Sequence, residues 1–179
     1  SGVSNGGSSD PVTTSPPNFG WQTTTYPAQG AGSGTAGVRF NVSTAGITGP
    51  ELYVYFDVRH SNTSSRFVQL EYSTDGTAFT PAGTFEATSG GDTWYKQLQV
   101  DLSGVASAFN NPNFAFRVVS VFDPASGTAY SAATSTSTYA GSGTLRFDMV
   151  TLATTAVPEP ASLGLAMLGS VALLRRRAR

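Results

Sequence analysis

Cysteine is absent from this 179-residue chain, and histidine and lysine each occur once, at His60 and Lys96. Without cysteine there is no disulfide, no thiol nucleophile and no cysteine-ligated metal, so stability must come from a packed core. A lone histidine beside Ser61 lacks the orienting group of a catalytic triad and the further ligands of a zinc site. Because no nucleophile–base set and no paired carboxylates are recognisable either, the sequence predicts a protein that is not an enzyme.

Basic residues are also scarce over most of the chain. Residues 1–156 contain six basic and ten acidic side chains, a net charge of −4, whereas the other four basic residues all follow residue 174. No basic stripe is present, so nucleic acid is not predicted as a partner. Residues 1–18 are rich in Ser, Gly and Pro and show no apolar periodicity, which predicts a disordered leader.

Eight stretches from residue 19 onward alternate apolar and polar residues between turn-forming residues, which is typical of strands. They cover residues 19–26, 36–42, 51–59, 66–73, 78–85, 93–102, 114–122 and 144–152. One face of the third stretch carries Leu52, Val54, Phe56 and Val58, and one face of the sixth carries Trp94, Leu98, Val100 and Leu102. Alternation of this length predicts half-buried antiparallel strands.

Two other segments depart from simple alternation. Residues 114–122 are almost continuously apolar, which predicts a central strand buried on both faces. Residues 103–109 form the one plausible helix, with Ser103 as its N-cap.

About eight short strands with almost no helix favour an all-β fold, a two-sheet antiparallel β-sandwich that is jelly-roll-like, with an up-and-down barrel as the alternative. The long stretch 125–143, mostly Ser, Thr, Ala and Gly, is either a binding loop or a flexible surface loop before the last strand.

The last 23 residues consist of three blocks with different physical properties. They are a Pro-containing turn (Val157, Pro158, Glu159, Pro160), an uncharged apolar run (161–174) and a basic end that includes Arg175, Arg176 and Arg177. The prolines favour an extended, non-helical backbone, and the apolar run is suited to a bilayer. Arginines cross a bilayer at high cost and stay on its cytoplasmic side.

This order of blocks resembles a PEP-CTERM sorting signal, which exosortases read in Gram-negative bacteria that make extracellular polysaccharide. The resemblance implies that Pro158, Glu159 and Pro160 are the recognition motif and that Arg175–Arg177 stop transfer. It also implies an exported precursor anchored in the inner membrane, cleaved by exosortase and passed to the cell surface or extracellular matrix. The alternative is a permanent single-pass anchor, although 14 apolar residues are fewer than the roughly 20 that a spanning helix needs.

The body has a resemblance of its own. Residues 59–76, 110–122 and 141–152 are similar to a jelly-roll ectodomain of PEP-CTERM surface proteins, which also occurs as an accessory module beside extracellular enzymes and implies no defined activity. The predicted organisation is a leader (1–18), a β-sandwich ectodomain (19–153), a linker with the Pro-Glu-Pro motif (154–160), a transmembrane helix (161–174) and a basic cytoplasmic tail (175–179).

Candidate ligand-binding residues lie around the third and fourth strands. They are Tyr53 and Tyr55, which share the face opposite the apolar one, and Arg59, His60, Asn62 and Arg66 in a polar connection. Guanidinium and amide groups suit sugar hydroxyls or carboxylates. Alternatively, the connection is a hairpin loop that caps its own backbone, with Arg59 or Arg66 paired to Asp57 or Glu71.

A structural calcium ion is the one cofactor considered, with Asp148 as its candidate ligand and oxygens from the loops around Asp10, Asp92 or Asp123 completing the shell. The alternative is an Asp148 that pairs with Arg146 or Arg117 or bonds to backbone. The sequence thus predicts a noncatalytic, exported structural or adhesive protein; the alternative is a carbohydrate-binding module that acts on exopolysaccharide.

Overall fold

Nine strands and one short 3₁₀ helix make up the part of the chain that the computed structural model describes, residues 1–5 and 18–156. The strands are β1 (Gly2–Asn5), β2 (Phe19–Thr23), β3 (Gly37–Asn41), β4 (Tyr53–His60), β5 (Phe67–Ser73), β6 (Thr80–Glu86), β7 (Thr93–Asp101), β8 (Ala115–Val121) and β9 (Leu145–Ala153). All eight predicted strands are confirmed. Their formation follows from alternating apolar residues, many of them β-branched or aromatic, between turns.

The strands form two antiparallel sheets, which confirms the all-β, two-sheet prediction. Sheet A has the order β1-β2-β9-β4-β7, and sheet B has the order β3-β8-β5-β6. Apart from the β1–β2 and β5–β6 pairs, every consecutive strand lies in the opposite sheet. Without β1, this is the strand order of two interlocked Greek keys, as in a jelly roll.

The core lies between the sheets. It contains Val54, Phe56 and Val58 of β4 and Leu52 just before it, all fully buried as predicted. Phe116 and Val118 of β8 face them from sheet B, and the Phe56 and Phe85 rings meet edge to face with centroids 5.2 Å apart. Strand β8 is also buried on its outer side, at Ala115, Val119 and Val121, which confirms the prediction of a strand buried on both faces.

A β-bulge in β7 overturns one expectation about sidedness. Phe56 pairs with Leu98, but Val58 pairs with Tyr95, so β7 contains one residue more than β4 over this interval. The extra residue lies next to Gln97, which has φ of 53°. Because one inserted residue reverses the alternation, Trp94 lies on the outer face, opposite the side that Leu98 and Val100 occupy.

The predicted helix is shorter than expected and is capped differently. Only Ala106–Ala108 form a 3₁₀ turn, and Val105 precedes it without a side-chain cap. Ser103 Oγ instead accepts a hydrogen bond from the Leu52 backbone N–H at 3.1 Å. The hydroxyl therefore joins the β7–β8 connection to the start of β4 rather than capping a helix.

The chain ends are described in part. The leader prediction covers Gly2–Asn5, which here form β1 at the edge of sheet A, paired with β2; its residues 6–17 lie outside the described part. The Pro-Glu-Pro motif, the apolar run 161–174 and the basic tail 175–179 also lie outside it. Within residues 1–5 and 18–156, no helix is long and apolar enough to cross a membrane.

The sandwich has two ends, which we name by where β9 leaves it. At the exit end, Ala153 pairs with Tyr53, and the connections 42–52, 74–79 and 102–114 are joined by bonds such as Asn111 Nδ2 to the Thr74 carbonyl, 2.8 Å. At the far end lie the connections 61–66, 87–92 and 122–144, joined by bonds such as Ser61 N–H to the Thr144 carbonyl, 2.9 Å. The β8–β9 stretch that the sequence left as a binding or flexible loop belongs to the far end.

Candidate binding surface and sorting segment

The outer face of sheet A carries aromatic and charged side chains in cross-strand rows. One row contains Gln22, Arg146, Arg59 and Trp94; the next contains Asp148 and Asp57; then come Thr151, Tyr55 and Gln99, and finally Ala153, Tyr53 and Asp101. These residues alternate with core residues along each strand and therefore share the outer side.

Trp94 lies across this face. A Cβ built at Gly20 of β2 would lie 3.0 Å from Cη2 of Trp94, so the indole rests against the β2 backbone where there is no side chain. In a flat sheet β2 and β7 would be three strand spacings apart, roughly 14 Å. A side chain on β7 that reaches β2 therefore shows that sheet A curves and that its outer face is concave.

Four charged side chains lie on the concave face as two like-charged cross-strand pairs. Arg59 is opposite Arg146, and Asp57 is opposite Asp148. Arg59 Nη2 also contacts Asp92 Oδ1 at 2.9 Å. Burial, followed by the nearby Arg59 charge, lowers the pKa of Arg146. Like charges directly opposite each other disfavour folding, so packing alone gives no reason for this arrangement.

Both aspartates accept backbone hydrogen bonds from bulge residues. Asp57 Oδ1 accepts from Gln97 N at 2.7 Å, and Asp148 Oδ1 accepts from Met149 N at 2.8 Å. Asp148 Oδ2 is buried and has no hydrogen-bond partner among the described residues. Of the alternatives for Asp148, bonding to backbone is confirmed, whereas Arg117 pairs with Glu71 instead.

The proposed calcium shell is not assembled around Asp148. Asp92 contacts Arg59 and Asn62, and Asp123 accepts a hydrogen bond from Ser131. No group of three or more His, Asp or Glu side chains suited to a metal ion occurs in residues 1–5 and 18–156. Asp10 lies outside that part, so calcium stays a prediction.

The six candidate ligand-binding residues are divided among three places. Tyr53, Tyr55 and Arg59 share the concave face, and the two tyrosine rings have centroids 6.2 Å apart. Tyr53 is half-buried, but Tyr55 is only 7% exposed. His60 faces the sandwich interior, whereas Asn62 and Arg66 lie at the far end.

His60 has a structural environment. It is 1% exposed, its Nδ1–H donates to the Ser65 carbonyl at 2.8 Å, and its ring meets Tyr95 edge to face with centroids 5.5 Å apart. Burial lowers its pKa to about 4, partly offset by the bond to Ser65. The imidazole is therefore neutral near pH 7 and joins β4 to the start of β5.

The β4–β5 loop is held tightly at the far end. Asn62 Nδ2 donates to Asp92 Oδ2 at 3.0 Å, and Thr134 Oγ1 donates to Asn62 Oδ1 at 2.7 Å. A Cβ at Gly91 or at Gly143 would lie 2.5 Å from backbone atoms of this loop, so both positions require glycine. The self-capping interpretation of the loop is supported by Ser64 Oγ, which donates to the Ser61 carbonyl at 2.9 Å.

Arg66 lies between two polar cavities at the far end. Their volumes are about 370 and 320 Å³, and both are lined by Arg66, Thr134 and Ser135. Arg66 Nε contacts Glu86 Oε1 at 2.8 Å. Glu71, one of the carboxylate partners expected for the loop arginines, binds Arg117 instead. The loop arginines contact Asp92 and Glu86, which come from the β6–β7 region.

Sequence reasoning did not place Arg146 and Trp94 on the concave face. Arg146 alternates with Leu145 and Phe147, so the period-two pattern of β9 contained the signal that it points outward. Trp94 gave no such signal, because the bulge beside Gln97 has no sequence mark and reverses the alternation.

The comparison with known proteins concerns the end of the chain. Residues 156–178 match the family model for the PEP-CTERM protein-sorting motif, which confirms the sorting-signal prediction and includes Pro158, Glu159, Pro160 and Arg175–Arg177. The motif indicates an exported, exosortase-sorted protein whose precursor is anchored in a membrane. No curated protein matches the chain.

Proposed function

We propose that this is a noncatalytic structural or adhesive protein of the cell surface or extracellular matrix, released from its anchor by exosortase. The observation that carries the proposal is the sorting motif at residues 156–178, which begins within three residues of the end of β9 at Ala153. The body before it is a sandwich whose stability needs no disulfide, which suits an exported protein without cysteine.

A noncatalytic role is also supported by how the side chains most capable of chemistry are used. His60 is buried and bonded to a backbone carbonyl. Its neighbour Ser61 has an oxygen that accepts the Thr144 N–H at 2.8 Å. Both groups thus stabilise the connections at the far end. Turnover of a polysaccharide by the purified protein would contradict this part of the proposal.

Intact-mass measurement tests the processing. In cells that contain exosortase, we expect the released protein to lose the chain that follows a cleavage near residues 157–160. A Glu159→Ala variant, which changes the recognition motif and leaves 1–156 intact, should stay in the membrane fraction at full mass. A released wild-type protein that still carries Arg179 would contradict exosortase handling.

The second candidate, binding of extracellular polysaccharide, is favoured by the concave face of sheet A. Concave sheet faces that combine aromatic rings with hydrogen-bonding groups suit sugar rings, and this face presents Trp94 and Tyr53 beside Gln99 and Asp101. Tyr55 and Arg59 lie on the same face.

Polysaccharide pull-down with matched tryptophan variants tests this candidate. Trp94→Ala should weaken binding at least tenfold, because it removes the ring that crosses the concave face. Trp21→Ala is the control: Trp21 is 41% exposed but contacts Phe40 at the edge of the sandwich, 6.2 Å between centroids. If both variants lose binding equally, or if the wild type binds no polysaccharide, this candidate is contradicted and only the structural role remains.

A further inference from the structure

The short distance between fold and sorting motif restricts how the sandwich is oriented on a membrane. Strand β9 ends at Ala153, and Pro158 is five residues further along the chain. Five residues span at most about 17 Å when fully extended. The exit end must therefore lie within that distance of the point where the Pro-Glu-Pro motif is held.

The far end is correspondingly distant. Strand β9 has nine residues, which is roughly 30 Å of extended chain. It begins opposite His60 at the far end and ends opposite Tyr53 at the exit end. Because β9 is the middle strand of sheet A, flanked by β2 and β4, it cannot detach to lengthen the linker without breaking ladders on both sides.

The exit end carries an excess of negative charge. Glu51 and Asp75 belong to its connections, Asp101 is the last residue of β7, and Asp75 and Asp101 are exposed. Arg39 of β3 donates from Nη2 to the Gly76 carbonyl at 2.6 Å and from Nε to Asn41 Oδ1 at 2.8 Å. These hydrogen bonds hold its guanidinium next to the residue that follows Asp75, whereas the neighbouring Arg117 is paired with Glu71.

We propose that, in the anchored precursor, the exit end lies against the lipid surface without adhering to it, while the far end faces away from the membrane. The proposal rests on the membrane-anchored precursor that the sorting motif indicates. Anionic headgroups repel the carboxylates of the exit end over about one Debye length, roughly 10 Å at 0.1 M salt. Cleavage then leaves no attraction between this end and the lipid surface.

The absence of cysteine allows a direct test with single-cysteine variants of the full chain. Thr48→Cys at the exit end and Thr136→Cys at the far end are matched, exposed threonine positions. Each is labelled with a small fluorophore and reconstituted into vesicles that contain a lipid quencher at the headgroup. We expect at least threefold stronger quenching at position 48 than at 136.

Salt and lipid charge test the repulsion. In vesicles with anionic phospholipid, quenching at position 48 should increase as salt is raised, whereas in neutral vesicles it should not change. Strong quenching at low salt that decreases as salt is raised would show that the exit end adheres to the lipid surface, and would overturn the proposed repulsion. Flotation of the vesicles distinguishes two kinds of failure. A chain that does not float with the vesicles contradicts the anchored precursor itself. Chains that float but are quenched equally at positions 48 and 136 overturn only the orientation.

Discussion

The two outer faces of the sandwich differ in where their carboxylates lie. On sheet B, Arg117 lies between Arg39 and Glu71 in its cross-strand row and contacts Glu71 at 2.6 Å. Phe79 lies beneath the guanidinium groups of Arg117 and Arg39 at 4.3 and 5.1 Å. On sheet A, arginine is opposite arginine and aspartate is opposite aspartate. Sheet B places a carboxylate beside its arginines in the same row, which favours stability, whereas sheet A places two carboxylates opposite each other, which stability alone disfavours.

This difference favours the proposal that any ligand binds to sheet A. Where a carboxylate lies beside an arginine, as on sheet B, removing either side chain costs stability. The concave face of sheet A combines like-charged neighbours, a half-buried tryptophan and a buried oxygen of Asp148 without a partner among the described residues. Features of this kind cluster at functional sites.

The largest expected effect on stability comes from His60, which lies in the interior between the two faces. His60 has a pKa of about 4 in the fold and about 6.5 when unfolded. Between these values the unfolded chain binds a proton that the folded chain does not, so stability should fall as pH decreases from 6.5 to 4, by on the order of 3 kcal/mol. Urea unfolding across this range measures the loss.

The matched control for this titration is His60→Gln. It keeps a side-chain donor near the Ser65 carbonyl but has no group that titrates. The variant should start less stable and lose much less stability between pH 6.5 and 4. If its free energy of unfolding follows the same slope as that of the wild type, the acid sensitivity comes from elsewhere.

Breaking the ion pair between Arg117 and Glu71 on sheet B should have the next largest effect on stability. Glu71→Ala leaves the half-buried Arg117 without its carboxylate and should lower the free energy of unfolding by about 2 kcal/mol. Denaturant unfolding of the single and double variants (Glu71→Ala, Arg117→Ala) gives the coupling energy. Additive losses would mean that the short contact contributes nothing and that the contrast between the faces is overstated.

The facing carboxylates of sheet A should respond in the opposite direction. Asp148→Asn removes one of two facing carboxylates and retains an oxygen for the Met149 N–H, so we expect stabilisation by about 0.5 kcal/mol. The same variant tests the calcium prediction by thermal melting. We expect no shift at millimolar calcium; a rise in Tm that Asp148→Asn abolishes would assign a cation to this pair.

A similarly small effect is expected at the far end. The Arg66–Glu86 pair is partly exposed on both sides, so Arg66→Ala should change the free energy of unfolding by less than about 1 kcal/mol. Arg66→Lys is the matched control, since it keeps the charge. A larger loss in both variants would show that the Arg66 side chain supports the packing of the β8–β9 connection.

The sequence predicted the strands well because their signal is local. Alternation over residues 52–58 placed the core residues of β4 correctly, since β4 contains no inserted residue there. Alternation failed at Trp94, where a bulge in β7 itself reverses the faces, and the left-handed conformations of Gln97 and Met149 have no sequence signature.

The binding surface was only partly predictable. Tyr53, Tyr55 and Arg59 were placed on one outer face by β4 alone, but their neighbours Arg146 and Trp94 come from strands distant in sequence. The contacts of Arg59 with Asp92 and of Arg66 with Glu86 were not predicted for the same reason, because tertiary pairing brings these residues together. The helix at 103–109 failed because the Ser103 hydroxyl bonds to the Leu52 N–H instead.

The central position of β9 also determines how the fold bears load. A pull on the tail acts along a strand that is hydrogen-bonded to β2 on one side and to β4 on the other. Both ladders are then loaded together in shear, whereas a strand at the edge of a sheet would be peeled away one bond at a time. A domain tethered in this way resists mechanical extraction for as long as its tail remains attached.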